Sequence, residues 1–178
     1  MDRTDQLIPG VARVVFGACM LGLAGCSMHI EPVVRPSYRM HGRVAILGDL
    51  SRNQEELFVP LYMKAFPYQA LVERRDLSSI IGEQDLSPER LRNETRAKLK
   101  QILGVSAIVY PRYTDGAEGQ LSVKVIDTES GEIVAAVLVT KRHPFVGKEA
   151  TDRRMIYRAI DALRSEAESH SKVAFGVR

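Results

Sequence analysis

The sequence predicts an α/β fold: a single αβ sandwich domain in which a mixed five-stranded sheet is flanked by helices. Three observations point there. Short apolar runs alternate with helical stretches through the first half of the chain. The second half turns antiparallel, with Leu121, Val123 and Val125 alternating against Ser122 and Lys124 ahead of a turn. A long amphipathic helix then closes the chain. At 178 residues there is room for one such domain and not for two comfortable ones.

The elements follow in order. Val44–Leu47 reads as a short buried strand. Asn53–Phe66 carries Leu57, Leu61 and Ala65 at helical spacing, with a break expected at Pro60, because an interior proline costs a helix about 3 kcal/mol. Gln69–Val72 is the next strand, followed by a short helix from Asp76 to about Glu83. Ser87-Pro88-Glu89 then places a hydroxyl at the N-cap, a proline at N1 and a carboxylate in the first turn of a third helix. Its expected inner stripe is Leu91, Thr95, Leu99 and Ile102, and Gly104 supplies its stop. Ala107–Tyr110 is an unbroken apolar run, the pattern of a central strand. Asp127–Glu132 makes a turn in which Gly131 can take positive φ, and Ile133–Thr140 returns as the hairpin partner. The last helix buries Met155, Ile156, Ala159, Ile160, Leu163 and Ala167, with Arg153, Arg158, Arg164 and Glu168 outside.

The amino-terminal 25 residues are of another kind. Val14–Leu23 runs ten residues without a charge, the length of a signal-peptide core and too short to span a bilayer. It ends in Leu23, Ala24, Gly25 and Cys26, which resembles a bacterial lipobox. Small residues there let a peptidase reach extended backbone, and the Cys26 thiol takes the lipid. Several acyl chains on one residue anchor firmly where a single chain holds only marginally. The expected organisation is a lipoprotein signal peptide over 1–25, a lipidated N-terminus and short tether over 26–42, the αβ domain over 43–170 and a tail over 171–178. Cys19 leaves with the signal, so the mature chain would hold no free thiol, no disulfide and no cysteine metal site. Ser27 after the cysteine fits outer-membrane sorting, since no Asp retention signal follows. The tether of about fifteen residues would reach at most roughly 50 Å, which keeps the domain near the membrane and facing the periplasm.

Net charge is +3, a mild excess far from the clustered basic pattern of a nucleic-acid binder, so no nucleic-acid partner is expected. His29, His41, His143 and His170 show no metal-ligand spacing, and neither phosphate-loop nor nucleophile-elbow motifs occur. Glu55/Glu56 and Glu166/Glu168 read as solvated helix faces. The chain is thus expected to be no enzyme, with no cofactor and no metal. Arg90, Arg92, Arg96, Lys98 and Lys100 stud the third helix among Glu89 and Glu94, as a solvated face or, on a sharper reading, a contact for an anionic polymer or a neighbouring subunit. Two connectors carry sharper candidates. Asp115 and Glu118, between two strands, are candidates for polymer contact as an acidic rim repeated around a ring. Phe145 and Val146, in the basic loop Lys141–Lys148, either pack against their own domain or are candidates for the membrane interface, where cations meet anionic lipid and an aromatic inserts at headgroup level.

Three phrases occur in a set order. Leu71-Val-Glu-Arg74 precedes Asp76-Leu77 and Ile80-Ile-Gly-Glu-Gln84; then come Gly104-Val-Ser-Ala-Ile-Val109 and Asp127-Thr-Glu-Ser-Gly-Glu-Ile133. The chain from Arg43 to Ser169 thereby resembles the CsgG-like envelope lipoproteins, whose fold is related to the TolB N-terminal domain. Secretion channels of that family are much longer and carry extra barrel hairpins, for which this chain has few places. The compact PelC-like kind is the nearest in size and layout. That resemblance implies an outer-membrane lipoprotein forming a homo-oligomeric ring in exopolysaccharide (Pel) export. The ring would funnel polysaccharide toward an outer-membrane β-barrel porin through an electronegative lumen. The alternative is an LpoB-like activator of a peptidoglycan synthase, a kind that hangs its domain on a long Pro-rich linker.

Overall fold

Six strands, not five, build the sheet of the computed structural model, which describes residues 28–36, 38, 42–72, 76–77, 93–114, 119–141 and 147–174, with side chains to residue 170. The elements run β1 (Met28–Val34), β2 (Gly42–Ile46), α1 (Arg52–Ala65), β3 (Gln69–Val72), α2 (Asn93–Leu103), β4 (Val105–Thr114), β5 (Gln120–Asp127), β6 (Ile133–Lys141) and α3 (Lys148–Ala174). Across the sheet the order is β1-β6-β5-β4-β2-β3. β2 pairs in parallel with β3 and with β4, and the remaining pairs are antiparallel. The sheet is therefore mixed, with helices on both faces.

The sixth strand is the segment expected to be a tether. Met28–Val34 pairs antiparallel with β6, from Met28 opposite Lys141 to Val34 opposite Ala135. Its signal is period two: Val34 is buried and Met28 and Ile30 pack on the core, while His29, Glu31 and Val33 are exposed. Pro32 disguises this pattern, since proline reads as a strand breaker, yet an edge strand tolerates it with the missing N–H turned outward. The pairing continues past the strand, where Arg35 donates its N–H to the Val134 carbonyl at 2.8 Å and its guanidinium meets Glu132 at 2.7 Å.

Two cores sandwich the sheet. On one face α1 and α3 cover β1, β6 and β5 with Phe58, Tyr62, Met155, Ile156 and Leu163 fully enclosed. On the other, Leu99 of α2 and Leu77 pack against Val105, Ile108 and Tyr110. β4 feeds both, with Val109 to the first core and its neighbours to the second, as a central strand must. The apolar stripe expected on the last helix is the buried face of α3.

Two helical expectations need correction. α1 is continuous through Pro60, with no break. Pro60 lies on the exposed face, where the Glu56 carbonyl that loses its donor can turn to water. The buried stripe of α1 is Gln54, Phe58 and Tyr62, and Leu57, Leu61 and Ala65 sit half-buried beside it. In α2 only Leu99 is buried, and Ile102 is 59% exposed rather than inward. Of the short helix after β3 only Asp76 and Leu77 are described, and Ser87, Leu91, Arg90 and Arg92 lie outside the described residues.

The turn chemistry follows expectation. Gly104 ends α2 at φ 64° with its N–H on the Lys100 carbonyl, and Gly131 takes φ 73° in the β5–β6 turn. Asp127 organises that turn: its Oδ1 accepts from the N–H groups of Glu129 (3.0 Å) and Ser130 (2.7 Å) and from the Ser130 hydroxyl (3.0 Å). Burial pushes the Asp127 carboxyl up, but those donors outweigh it, with the Lys100 charge adding to them, and hold it below its ordinary value. A depressed folded-state pKa means stability present above the unfolded-state value and lost as pH falls through the folded one. Acid titration of unfolding free energy from pH 5 downward should accordingly fall less steeply in Asp127→Asn than in the parent. Superimposable curves would show that the turn contributes no charge-dependent stability.

Candidate functional site

Strand directions collect several chain segments at one end of the sheet. β6 runs parallel to β4 and β2, so all three finish at the same end, and antiparallel β1 begins there. Lys141 at the close of β6 lies opposite Met28 and donates its N–H to the Gly119 carbonyl at 3.0 Å. Thr114 and Gln120 pair at the mouth of the β4–β5 connector. α1 leaves this end after β2, and α3 leaves it after β6.

Every site residue expected from the sequence belongs to a segment that starts or ends here. Leu23, Ala24, Gly25 and Cys26 precede β1; Asp115 and Glu118 fall between Thr114 and Gly119; Phe145 and Val146 fall between Lys141 and Gly147. All eight lie outside the described residues. What the structure gives is their flanks, and those flanks share one end of the domain.

The same end holds a cleft of about 660 Å³ between the first turns of α1 and α3, lined by Ser51, Asn53, Gln54, Glu56, Glu149 and Asp152, with Leu57 and Lys148. Gln54 is its pivot. The side-chain oxygen of Gln54 accepts the Ser51 N–H at 3.0 Å, satisfying a donor that α1 cannot. Its amide nitrogen donates to Asp152 Oδ2 at 3.0 Å. One side chain therefore caps α1 and fastens it to α3, with Gln54 and Asp152 both 6% exposed. The second oxygen, Asp152 Oδ1, is buried without a hydrogen-bond partner. Native proteins leave few such atoms unpaired. Glu149, beside it, makes no ion pair among the described residues, while Glu56 is engaged by Arg52 at 3.0 Å.

Neither Gln54 nor Asp152 stood out in the sequence, although a signal was there. Asp152 lies four residues before Ile156 and three before Met155, a polar residue on the inner stripe of an amphipathic helix. Gln54 stands in the same relation to Phe58. No group of three or more His, Cys, Asp or Glu side chains is placed to hold a metal ion among the described residues. No helix among them is long and apolar enough to cross a membrane.

Fold and site together define a mixed α/β domain with its polar cleft at the helix N-termini. The sequence matches no protein-family model, and no curated protein matches it. Among solved structures, the chain is similar to a PelC dodecamer from Paraburkholderia phytofirmans at 10% identity and a TM-score of 0.49, covering 78% of this chain and 98% of that one. It is similar to the LpoB C-terminal domain from Salmonella enterica at 13% identity and a TM-score of 0.46, covering 62% and 88%. Lipoprotein GNA1162 from Neisseria meningitidis gives 8% identity and a TM-score of 0.45, covering 69% and 98%.

Proposed function

We propose that this chain is an outer-membrane lipoprotein, anchored through Cys26 and facing the periplasm, that serves without catalysis as a homo-oligomeric subunit of an envelope export apparatus of the PelC-like exopolysaccharide kind. The observation that carries the reading is where β1 begins. Met28 is two residues after Cys26, a separation of at most about 7 Å in extended chain. A lipid on Cys26 would seat the sheet directly on its own leaflet. An activator that must reach a synthase in the opposite membrane needs a long spacer, which β1 replaces with paired strand. A seated domain is suited to work at the membrane that holds it.

The resemblance to CsgG-like lipoproteins adds support. Gly104–Val109 runs from the α2 stop into β4, and Asp127–Ile133 is the β5–β6 turn, the strand and the hairpin turn that the resemblance implies at those phrases. In this reading Asp115 and Glu118 face the exported polysaccharide and Phe145 and Val146 the lipid, with an outer-membrane β-barrel porin as the receiving partner.

The reading is tested by labelling cells with an alkyne palmitate and fractionating their envelopes. Wild type should carry label and sediment with the outer membrane, and Cys26→Ser should lose both. A labelled Cys26→Ser protein would overturn the anchor. The lipidated protein in detergent should then show, by light scattering, a mass many times that of one chain. A strict monomer would overturn the export ring and favour the synthase-activator alternative.

A further inference from the structure

The cleft between α1 and α3 is built around an atom that has no partner. Asp152 is 6% exposed, its Oδ2 is taken by Gln54, and its Oδ1 accepts nothing. Glu149 lines the same cleft, exposed and without an ion pair among the described residues, and with Glu56 and Asp152 it outnumbers the one lysine there, Lys148. The group that fits is a planar cation with several N–H donors, since a guanidinium can pair with Glu149 and bring its charge up to the buried Asp152 carboxylate at once.

The opposite side of the same helix carries such groups. Arg153, Arg154 and Arg158 are exposed around Tyr157, itself 56% exposed, and none of the three arginines has an ion pair among the described residues. At 3.6 residues per turn, Arg154 projects about 200° round the helix from Asp152 and stands about 3 Å further along it; Arg158 projects about 240° round and stands about 9 Å along. Arg154 and Asp152 thus stand at nearly one height on α3 and point in opposite directions, with Arg158 on the same side as Arg154 about one turn further along. That arrangement does not let one chain satisfy itself. It is what a head-to-tail contact requires, in which each copy offers one surface to the neighbour on its left and another to the neighbour on its right.

We infer that the cleft is an inter-subunit site: a guanidinium from Arg154 or Arg158 of a neighbouring copy enters it, pairs with the exposed Glu149 and faces the buried Asp152 carboxylate behind it. This rests on the oligomeric reading and deepens it, by naming the contact through which one copy takes hold of the next. Charge complementarity selects a second copy as the occupant. The acidic pair and the unpaired arginines belong to the same chain, so every added copy brings both halves.

Charge reversal and recovery test it on the full lipidated chain in detergent, with assembly mass followed by light scattering across concentration. Asp152→Arg, and separately the pair Arg154→Asp with Arg158→Asp, should each raise the concentration at which the assembly dissociates by at least about tenfold. Combining all three changes restores opposite charge across the contact and should recover most of that loss. Asp152→Asn keeps the shape of the residue and its bond from Gln54, so it reads the charge alone if Asp152→Arg fails to fold, as circular dichroism would show. Assembly unchanged in Asp152→Asn, or a combined variant no better than the two it combines, overturns this contact and leaves the ring standing. A monomeric wild type removes the ring and the contact together.

Discussion

Phe58→Ala should lower the unfolding free energy by about 3–5 kcal/mol, the usual loss when a fully buried phenylalanine is truncated. Phe58 is 0% exposed and begins a ladder of rings along α1. It stacks on Tyr62 with centroids 5.8 Å apart, and Tyr62 meets Phe66 at 4.7 Å. Phe66 in turn takes Tyr38 edge-on at 6.4 Å. The ladder continues as a polar pair, the Tyr62 hydroxyl donating to Gln69 at 2.7 Å, which ties α1 to the start of β3. Close-packed interiors do not refill a ring-sized void, so the transfer loss and the cavity act together. In a domain of this size the melting temperature should fall by roughly 10 °C, measurable by calorimetry or a urea titration. A loss below about 1 kcal/mol would mean that α1 is not fixed on the sheet, and Gln54 could not then hold Asp152.

Gly48→Val should destabilise by about 3 kcal/mol, toward the upper end of what overpacking costs. A Cβ at Gly48 would lie 2.6 Å from the Pro111 carbonyl oxygen and 2.5 Å from its ring Cγ, closer than real side chains come. The contact exists because the chain leaving β2 still follows β4: Leu47 donates to the Val109 carbonyl at 2.9 Å and Asp49 to that of Pro111 at 3.0 Å. In extended chain the N–H and C=O of a residue face the same side, so the donor Pro111 lacks would point toward this segment, past the end of β2. That is why a proline can sit in an interior strand here. The same denaturation measurement checks the substitution. Wild-type stability in Gly48→Val would show that the β2–α1 corner can move away from β4 freely.

The elements legible in the sequence were those whose period the core enforces. α3 repeats its apolar residues at helical spacing because one face meets the sheet throughout, and β5 alternates because one of its faces is buried against α1 and α3. β3 and the β5–β6 turn were equally plain. The failures came where a strong local rule met a permissive place. Pro32 hid an edge strand, and Pro60 suggested a break on a helix face that water can serve. Ile102 was expected inside from spacing alone, but α2 buries only its Leu99 against a small second core. Gln54 and Asp152 fell on inner positions, where their polarity was the clue to a contact between helices.

The pairing of β1 with β6 also suggests an expected order of events. Val34 meets Ala135, and the Arg35–Glu132 ion pair beyond it joins residues 97 apart in the chain. Contacts of such separation close a longer loop than local hairpins such as β5–β6 and are expected to form after them. Until β6 exists, the Met28–Val34 segment has no strand to pair with. On the lipoprotein reading, lipidation would come first and docking of β1 afterwards. On that reading the last strand to join the sheet would act as a winch: it would take in the slack behind the anchor and draw a finished domain down onto the membrane.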